Sequence, residues 1–286
     1  MPSLTGIRRR IKSAKNIAQI TKAMEMVSAS KMRKSQEQAL ATRPFSDKLV
    51  TIIDNITSSS AQSIHPLMRP CDSPRHGMLI IVSTDKGLCG GLNVNLFRAI
   101  ANWGSQESRH DKLHMVHVRK KARTILPNKE TELTAVFHEI SETPTFEEAR
   151  TIARLGMDTF LSGDVDEVFI AYPKFISTLV NQPTITRLLP LAGTHPTQTT
   201  SATYTFEPTS SELITELFPY MVEMSIYQIL IDASASEHSA RMVAMKNASD
   251  NATDLISNLT LDYNQARQSQ VTTELLDATT ARMALT

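Results

Sequence analysis

Residues 220–286 contain neither glycine nor proline, and residues 7–43 are equally uninterrupted. At about 1.5 Å per residue, the C-terminal stretch alone would form a helical rod of roughly 100 Å. That is far beyond the ~11-residue helices of compact domains. A helix of such length is not stable in water on propensity alone and needs apolar contact along its side.

The chain supplies both sides of such a contact. Near the C-terminus Met245, Ala248, Ala252, Leu255, Leu259, Tyr263 and Ala266 step by three or four residues, which keeps them on one helical stripe. Ile7, Ile11, Ala14, Ile17, Ile20, Met24 and Val27 do the same near the N-terminus. Two such stripes facing each other bury both, and the small residues Ala14, Ala248 and Ala252 are expected to bring the axes close. Charge agrees with this pairing. Over residues 8–34, Arg8, Arg9, Arg10, Lys12, Lys15, Lys22, Lys31, Arg33 and Lys34 stand against the single acid Glu25, while the C-terminal helix is acidic on balance. An antiparallel coiled coil of the N- and C-terminal helices is expected, with Met24 and Met26 in its seam.

Residues 75–191 have a different rhythm. Strands are expected at 78–84, 113–118, 133–137 and 168–172, with helices at 93–103 and 146–162. That alternation argues for a mostly parallel sheet covered by helices. The segments 58–74 and 194–201, rich in Ser, Thr and Pro, read as linkers. The expected fold is therefore α/β with a long helical extension: an N-terminal coiled-coil helix at 1–58, a central Rossmann-like α/β domain at 75–193, and a C-terminal coiled-coil helix at 209–286.

Composition narrows the function. The chain has 286 residues, is 41% hydrophobic and carries a net charge of +1, which does not describe a globally basic nucleic-acid binder. The basic stretch of residues 7–43 lacks Phe, Tyr and Trp for base stacking, and its acidic partner helix would oppose phosphate binding. No apolar run reaches the ~18 residues of a membrane span, and none follows the N-terminal arginines as a secretion signal would require. Cys71 and Cys89 form neither a disulfide framework nor a metal-ligand spacing. A soluble chain in a reducing compartment is expected, with any membrane connection made through partners.

The most suggestive chemistry follows the first expected strand, at Asp85, Lys86, Gly87, Leu88, Cys89, Gly90, Gly91, Leu92 and Asn93. A glycine-rich strand-to-helix turn can cradle phosphate on bare backbone amides. This one has neither the Gly-Lys-Ser/Thr of a Walker loop nor the GxGxxG spacing of a dinucleotide turn. A tight turn with close helix-to-sheet approach, or a partner surface, is the better reading, and a cofactor-dependent Rossmann enzyme is the poorer one. His114 and His117 fall on opposite faces of a strand, and Cys89 lacks an evident His base. No catalytic residue, metal site or cofactor is expected.

Several runs carry a family resemblance. Ile20, Thr21, Lys22, Ala23, Met24, Glu25, Met26, Val27, then Lys31, Met32 and Arg33, resemble the N-terminal helix motif of the gamma subunit of rotary F-type ATP synthases. Residues 83–93 are similar to that family's central-domain loop. Tyr172, Lys174, Phe175, Pro183, Leu188, Leu189 and Pro190 are similar to its second central motif. Glu237, Ala240, Arg241, Met242, Ala244, Met245, Asn251, Leu259, Tyr263, Asn264, Arg267, Gln268, Thr272 and Glu274 resemble its most characteristic C-terminal stretch.

The resemblance implies a non-catalytic rotor shaft. It would couple ion-driven rotation of a c-subunit ring to conformational change and ATP synthesis in catalytic beta subunits. The implied partners are the alpha and beta subunits of the catalytic ring, the epsilon subunit and the c ring, with no nucleic acid and no cofactor. The implied location is the cytoplasmic face of the bacterial inner membrane, peripheral, with membrane contact only through the complex. Carried over residue by residue, the partner-contact positions are Lys22, Met24, Lys31, Arg33, Lys34, Gly87, Cys89, Gly90, Arg241, Arg267, Gln268 and Thr272. The basic ones would face acidic lever loops of beta. Three departures stand out: Gln19 replaces a common basic residue, the family's glycine is missing among Val118, Arg119 and Lys120, and the tip carries Asp277 and Arg282 with no glycine.

Overall fold

The computed structural model describes residues 3–59, 65–69, 71, 73–106, 110–125, 131–138, 140–191 and 210–284. The linker expected at 194–201 lies outside the described residues, as does part of 58–74. The chain comprises two compact units, Ala29–Ala240 and Met1–Ser28 with Arg241–Thr286. Two long helices, α1 (Leu4–Ser59) and the C-terminal Ser210–Ala284, contribute to both. Each runs through one proline, Pro44 or Pro219, where one backbone hydrogen bond is forfeited.

The larger unit is built on a five-stranded sheet of β1 (His76–Val82), β2 (Lys112–Val118), β3 (Thr131–Phe137), β4 (Glu167–Phe175) and β5 (Asn181–Leu189). Their order is β3-β2-β1-β4-β5, with the first four parallel and β5 antiparallel to β4. The first four match the expected strands, and the two expected helices form α2 (Leu92–Gln106) and α3 (Phe146–Leu161). β5 was not expected. Its sequence is polar and holds Pro183, which an edge strand tolerates because one side of its backbone needs no ladder bond.

Side chains alternate between the faces of the sheet, so two separate cores form. Met78, Ile80, Val82, Val116, Val118 and Ile170 pack with α3 and with Ile214, Phe218, Ile226 and Leu230 of the C-terminal helix, α4 (Ser210–Ala284). Leu79, Ile81, Met115, Phe169 and Ala171 pack with Leu96 and Ile100 of α2. Both faces of β1 are covered, which explains its continuous apolar run. Within this unit α4 is a layer of the core. The small residues Ala233, Ser234, Ala235 and Ser236 are all buried there, and their size permits close backbone approach. Gln38 bonds Tyr227 and Phe45 stacks edge-on against Tyr220, so α1 runs antiparallel to α4.

One charged side chain joins sheet to helix. Arg119, just beyond β2, has φ 68° and ψ 168°, a backbone region otherwise almost restricted to glycine. The resemblance noted above implies a glycine among Val118, Arg119 and Lys120, and Arg119 adopts a glycine-like backbone conformation without one. Burial over-determines it. The guanidinium is 2% exposed and donates to Glu237 Oε2 at 2.9 Å, Ser234 Oγ at 2.9 Å and the Ser141 carbonyl at 3.1 Å. Asp85 Oδ2 lies 3.8 Å from its Nε, and the Arg119 amide donates to the Phe137 carbonyl.

In the smaller unit, the buried residues of α1 recur every seven: Ile7, Ala14, Thr21 and Ser28. Ile11, Ala18 and Met24 are half-buried beside them. The expected stripe is corrected here, because Ile17, Ile20 and Val27 are 53%, 60% and 54% exposed, and Met26 is exposed as well. Successive steps of three, 14 to 17 to 20, rotate off the partner, whereas a 3.5-residue average keeps facing it. Thr21 suits the seam because its hydroxyl bonds the Ile17 carbonyl at 2.9 Å. On α4 the seam is Met245, Ser249 and Ala252, then Ala248, Ile256, Leu259, Tyr263 and Ala266 half-buried, while Leu255 points outward. Arg8 lies over the Tyr263 ring and contacts its hydroxyl. From Arg267 to Met283 every side chain is exposed.

Arg119→Met should remove the buried cation that pairs with Glu237 and destabilise the chain by about 3–5 kcal/mol in chemical denaturation. Replacing both, Arg119→Met with Glu237→Leu, should recover most of that loss.

His117 on β2 is 1% exposed, and neither ring nitrogen has a hydrogen-bond partner. Burial lowers its pKa, and the Arg123 charge lowers it further. The unfolded chain therefore takes up the proton first. The contribution to stability is complete above about pH 6.5 and declines as pH falls below it toward the folded pKa. Melting temperatures measured from pH 7.5 to 5 should fall less steeply for His117→Leu than for the unaltered chain.

Candidate functional site

Because four strands are parallel, the segments leaving them share the carboxyl edge of the sheet, the edge where α/β folds place their sites. The glycine-rich turn after β1 lies there. Leu88 and Gly90 both have positive φ, 63° and 59°, so Gly90 meets a requirement of the turn and Leu88 is held outward, exposed. Cys89 points inward and is buried. Asn93, at the start of α2, reaches back to Thr84 Oγ1 at 2.7 Å and to Cys89 Sγ at 3.6 Å. The turn is thus closed by its own side chains. The amides of the following turn are also engaged: Lys120 to Asp85 Oδ1, Lys121 to the Thr84 carbonyl, and Ala122 to Ser83 Oγ.

Lys31 of α1 and Lys86 of the glycine turn converge on one carboxylate, Glu142, in the loop before α3. The Lys86–Glu142 contact is 2.7 Å. Hydrogen bonds from Lys31 and then Lys86 hold the Glu142 pKa down to about 2, against a smaller opposing effect of burial. The loop is fixed on both sides of Ser141. Its carbonyl accepts from Arg119, and its amide donates to Glu148 Oε1 at 2.8 Å. Glu148 also closes the capping box of α3 with Thr145.

The remaining partner-contact residues divide between the two units. In the larger, Arg33, Lys34 and Gly87 are exposed, and Lys31 is half-buried at Glu142. In the smaller, Lys22 is exposed and bonds Glu25 at 3.0 Å, Met24 is half-buried and Arg241 is buried. Arg267, Gln268 and Thr272 are exposed, with the Thr272 hydroxyl returned to the Gln268 carbonyl. Sequence reasoning missed Glu142 and Lys86 as companions of Lys31, for which no spacing gives a signal. It also missed the outward row of Ile17, Ile20 and Val27, which steps of three and four do not distinguish from the seam. Among the described residues there is no cluster of three or more His, Cys, Asp or Glu able to hold a metal, and no helix long and apolar enough to cross a membrane.

Comparison with known proteins identifies the family. Residues 3–285 match the family model described as ATP synthase. The ATP synthase gamma chain of Roseiflexus sp. (strain RS-1) is 40% identical over 288 residues, covering 100% of this chain and 99% of that one. The gamma chain of Dehalococcoides mccartyi (strain BAV1) is 39% identical with 100% of both chains covered. In fold, the chain is similar to one in the rotor of the Euglena gracilis mitochondrial ATP synthase, with a TM-score of 0.65 at 17% identity over 94% of this chain and 98% of that one. A chain of the central stalk and c ring of the Tetrahymena thermophila mitochondrial enzyme gives 0.58 at 23% identity, covering 80% and 99%. With relatives at this identity along its whole length, the chain belongs to the ATP synthase gamma-chain family.

Proposed function

We propose that this chain is the central rotor shaft of an F-type ATP synthase. It couples ion-driven rotation of a c-subunit ring to the conformations of catalytic beta subunits, and itself performs no catalysis. The observation that carries this reading is the inverted use of side chains in the two-helix unit. Beside Ile7 and Met245 the buried seam positions are small, Ala14, Thr21, Ser28, Ser249 and Ala252, while Ile17, Ile20 and Val27 face outward. A monomeric coiled coil gains nothing from that allocation, but a thin shaft turning inside a surrounding ring does.

A shaft acts by differential contact. It biases each catalytic subunit only as far as its contacts differ between rotational positions. Lys22, Arg33, Lys34, Arg267, Gln268 and Thr272 are exposed and suit such contacts, because exposed ion pairs contribute only about 0–1 kcal/mol and release readily. Met24, Gly87, Gly90, Cys89 and Arg241, half-buried or set in turns and seams, serve by shaping the surface that partners meet. Alpha and beta subunits would surround the two-helix unit, with epsilon and the c ring engaging the α/β unit. The chain would then lie at the cytoplasmic face of the bacterial inner membrane, attached through its partners.

Reconstitution tests the proposal: the chain mixed with the alpha and beta subunits of its own complex should yield an assembly that hydrolyses ATP. Replacing Ile17, Ile20 and Val27 together by Ser should change the melting temperature of the isolated chain by no more than a few degrees, since each side chain is already exposed. The same variant should lose at least about tenfold in assembly, the equivalent of ~1.4 kcal/mol. Equal assembly of variant and unaltered chain would place the ring contact elsewhere.

A further inference from the structure

Two unfavourable features meet at Arg119. Its backbone, at φ 68° and ψ 168°, occupies a region that strains every residue but glycine, and its guanidinium is carried into the core. The side-chain network is also incomplete. Nη1 and Nη2 donate to Glu237, Ser234 and the Ser141 carbonyl, whereas Nε is buried without a hydrogen-bond partner and Asp85 Oδ2 stands 3.8 Å away. Stability alone does not account for such a residue, since glycine would relieve the turn and apolar packing would fill the space.

What the contact supplies is direction. Ser234 and Glu237 lie three residues apart on one face of α4, and a single guanidinium grips both. Around them the buried helix surface is small, with Ala233, Ala235 and Ser236, and apolar contact is non-directional: it resists separation without fixing a helix about its own axis. The other end of the grip is the sheet and its loops. The Arg119 amide donates to the Phe137 carbonyl, and its guanidinium reaches the Ser141 carbonyl before α3. Any turn or slip of α4 on the sheet therefore breaks charge-assisted bonds at this point. Beyond Ala240 the same helix continues into the smaller unit.

We propose that Arg119 is a positioning residue for energy coupling: a clasp that holds α4 in register on the α/β unit when the helix is turned against resistance. This inference rests on the shaft reading, because a shaft is what would be loaded in this way. At rest the apolar core keeps α4 seated. Under a turning force the clasp resists slip, and without it part of each turn is not transmitted.

The main experiment uses the whole complex reconstituted in lipid vesicles. Glycine accepts the backbone of the turn, so Arg119→Gly removes the clasp and keeps the local conformation. With the vesicles made leaky by an ionophore, hydrolysis should stay within about twofold of the unaltered complex, while in sealed vesicles the ratio of ions pumped to ATP consumed should fall by roughly threefold as the opposing gradient grows. An unchanged ratio at every gradient overturns the proposal. So does a loss of hydrolysis and pumping in equal proportion at every gradient, the mark of a merely structural role. Ser234→Ala removes one acceptor and leaves the ion pair in place, and it should show the same dependence on gradient in smaller degree. If Arg119→Gly does not assemble, Ser234→Ala decides, and an unchanged ratio there overturns the proposal. The isolated full chain gives an independent reading below its melting temperature. With spin labels at Arg154→Cys on α3 and Lys246→Cys on α4, in a Cys71→Ser background, the distance distribution should be roughly 1.5-fold broader for Arg119→Gly. Equal widths overturn the clasp. Failure of the unaltered chain to support pumping in its complex would remove the shaft reading, and the distance distributions would still decide whether Arg119 holds α4.

Discussion

A buried ion pair organises the larger unit. Arg119 and Glu237 are almost wholly removed from water, a transfer that costs several kcal/mol per ion before any partner is found. The cost is offset because the guanidinium donates to three acceptors on two segments, Glu237 and Ser234 of α4 and Ser141 of the loop before α3, with the Asp85 carboxylate of the turn after β1 nearby. Such an arrangement adds little net stability compared with apolar packing. What it supplies is a unique register between sheet and helix, since any slip leaves a charge unpaired in the core. The glycine-like backbone at Arg119 is tolerated because the side chain is held so completely.

The Lys31–Glu142–Lys86 group follows from that pair. Ser141 is fixed through its carbonyl by Arg119, and Glu142 is its neighbour. The residue that ties the sheet to the long helix therefore also sets the position of a carboxylate on the surface where the glycine turn emerges. Parallel strands bring these segments together, because all four end at one edge.

The long C-terminal helix is used in two physical regimes. In the larger unit it is buried nearly all round and serves as a core layer, with small residues at its closest approach. In the smaller unit it is one strand of a coiled coil, buried along a narrow seam and exposed elsewhere. Beyond Ala266 the seam stops and the helix is exposed on every side, although Val271, Leu275, Leu276 and Met283 are apolar. Exposed Ile17, Ile20 and Val27 beside the small seam residues Ala14, Thr21, Ser249 and Ala252 are unusual for an autonomous coiled coil.

The sequence by itself determined the two long helices, the alternation that builds the α/β unit, and the family, because each rests on local signals: uninterrupted helical stretches, strand and helix periodicities, and motif runs at fixed spacing. Its reading of the seam was half right. Steps of three and four cannot distinguish the row that faces the partner helix from the row beside it, and only tertiary packing separated Thr21 and Ser28 from Ile20 and Val27. β5 was hidden because an edge strand with Pro183 lacks the apolar alternation that marks a half-buried one. Arg119 sits in a run of basic residues that reads as surface, and Glu142 is separated from Lys31 by 111 positions. Both roles come from contacts between segments remote in sequence. A buried charge or a shared carboxylate is a property of what the fold brings alongside a residue, and no local pattern encodes it.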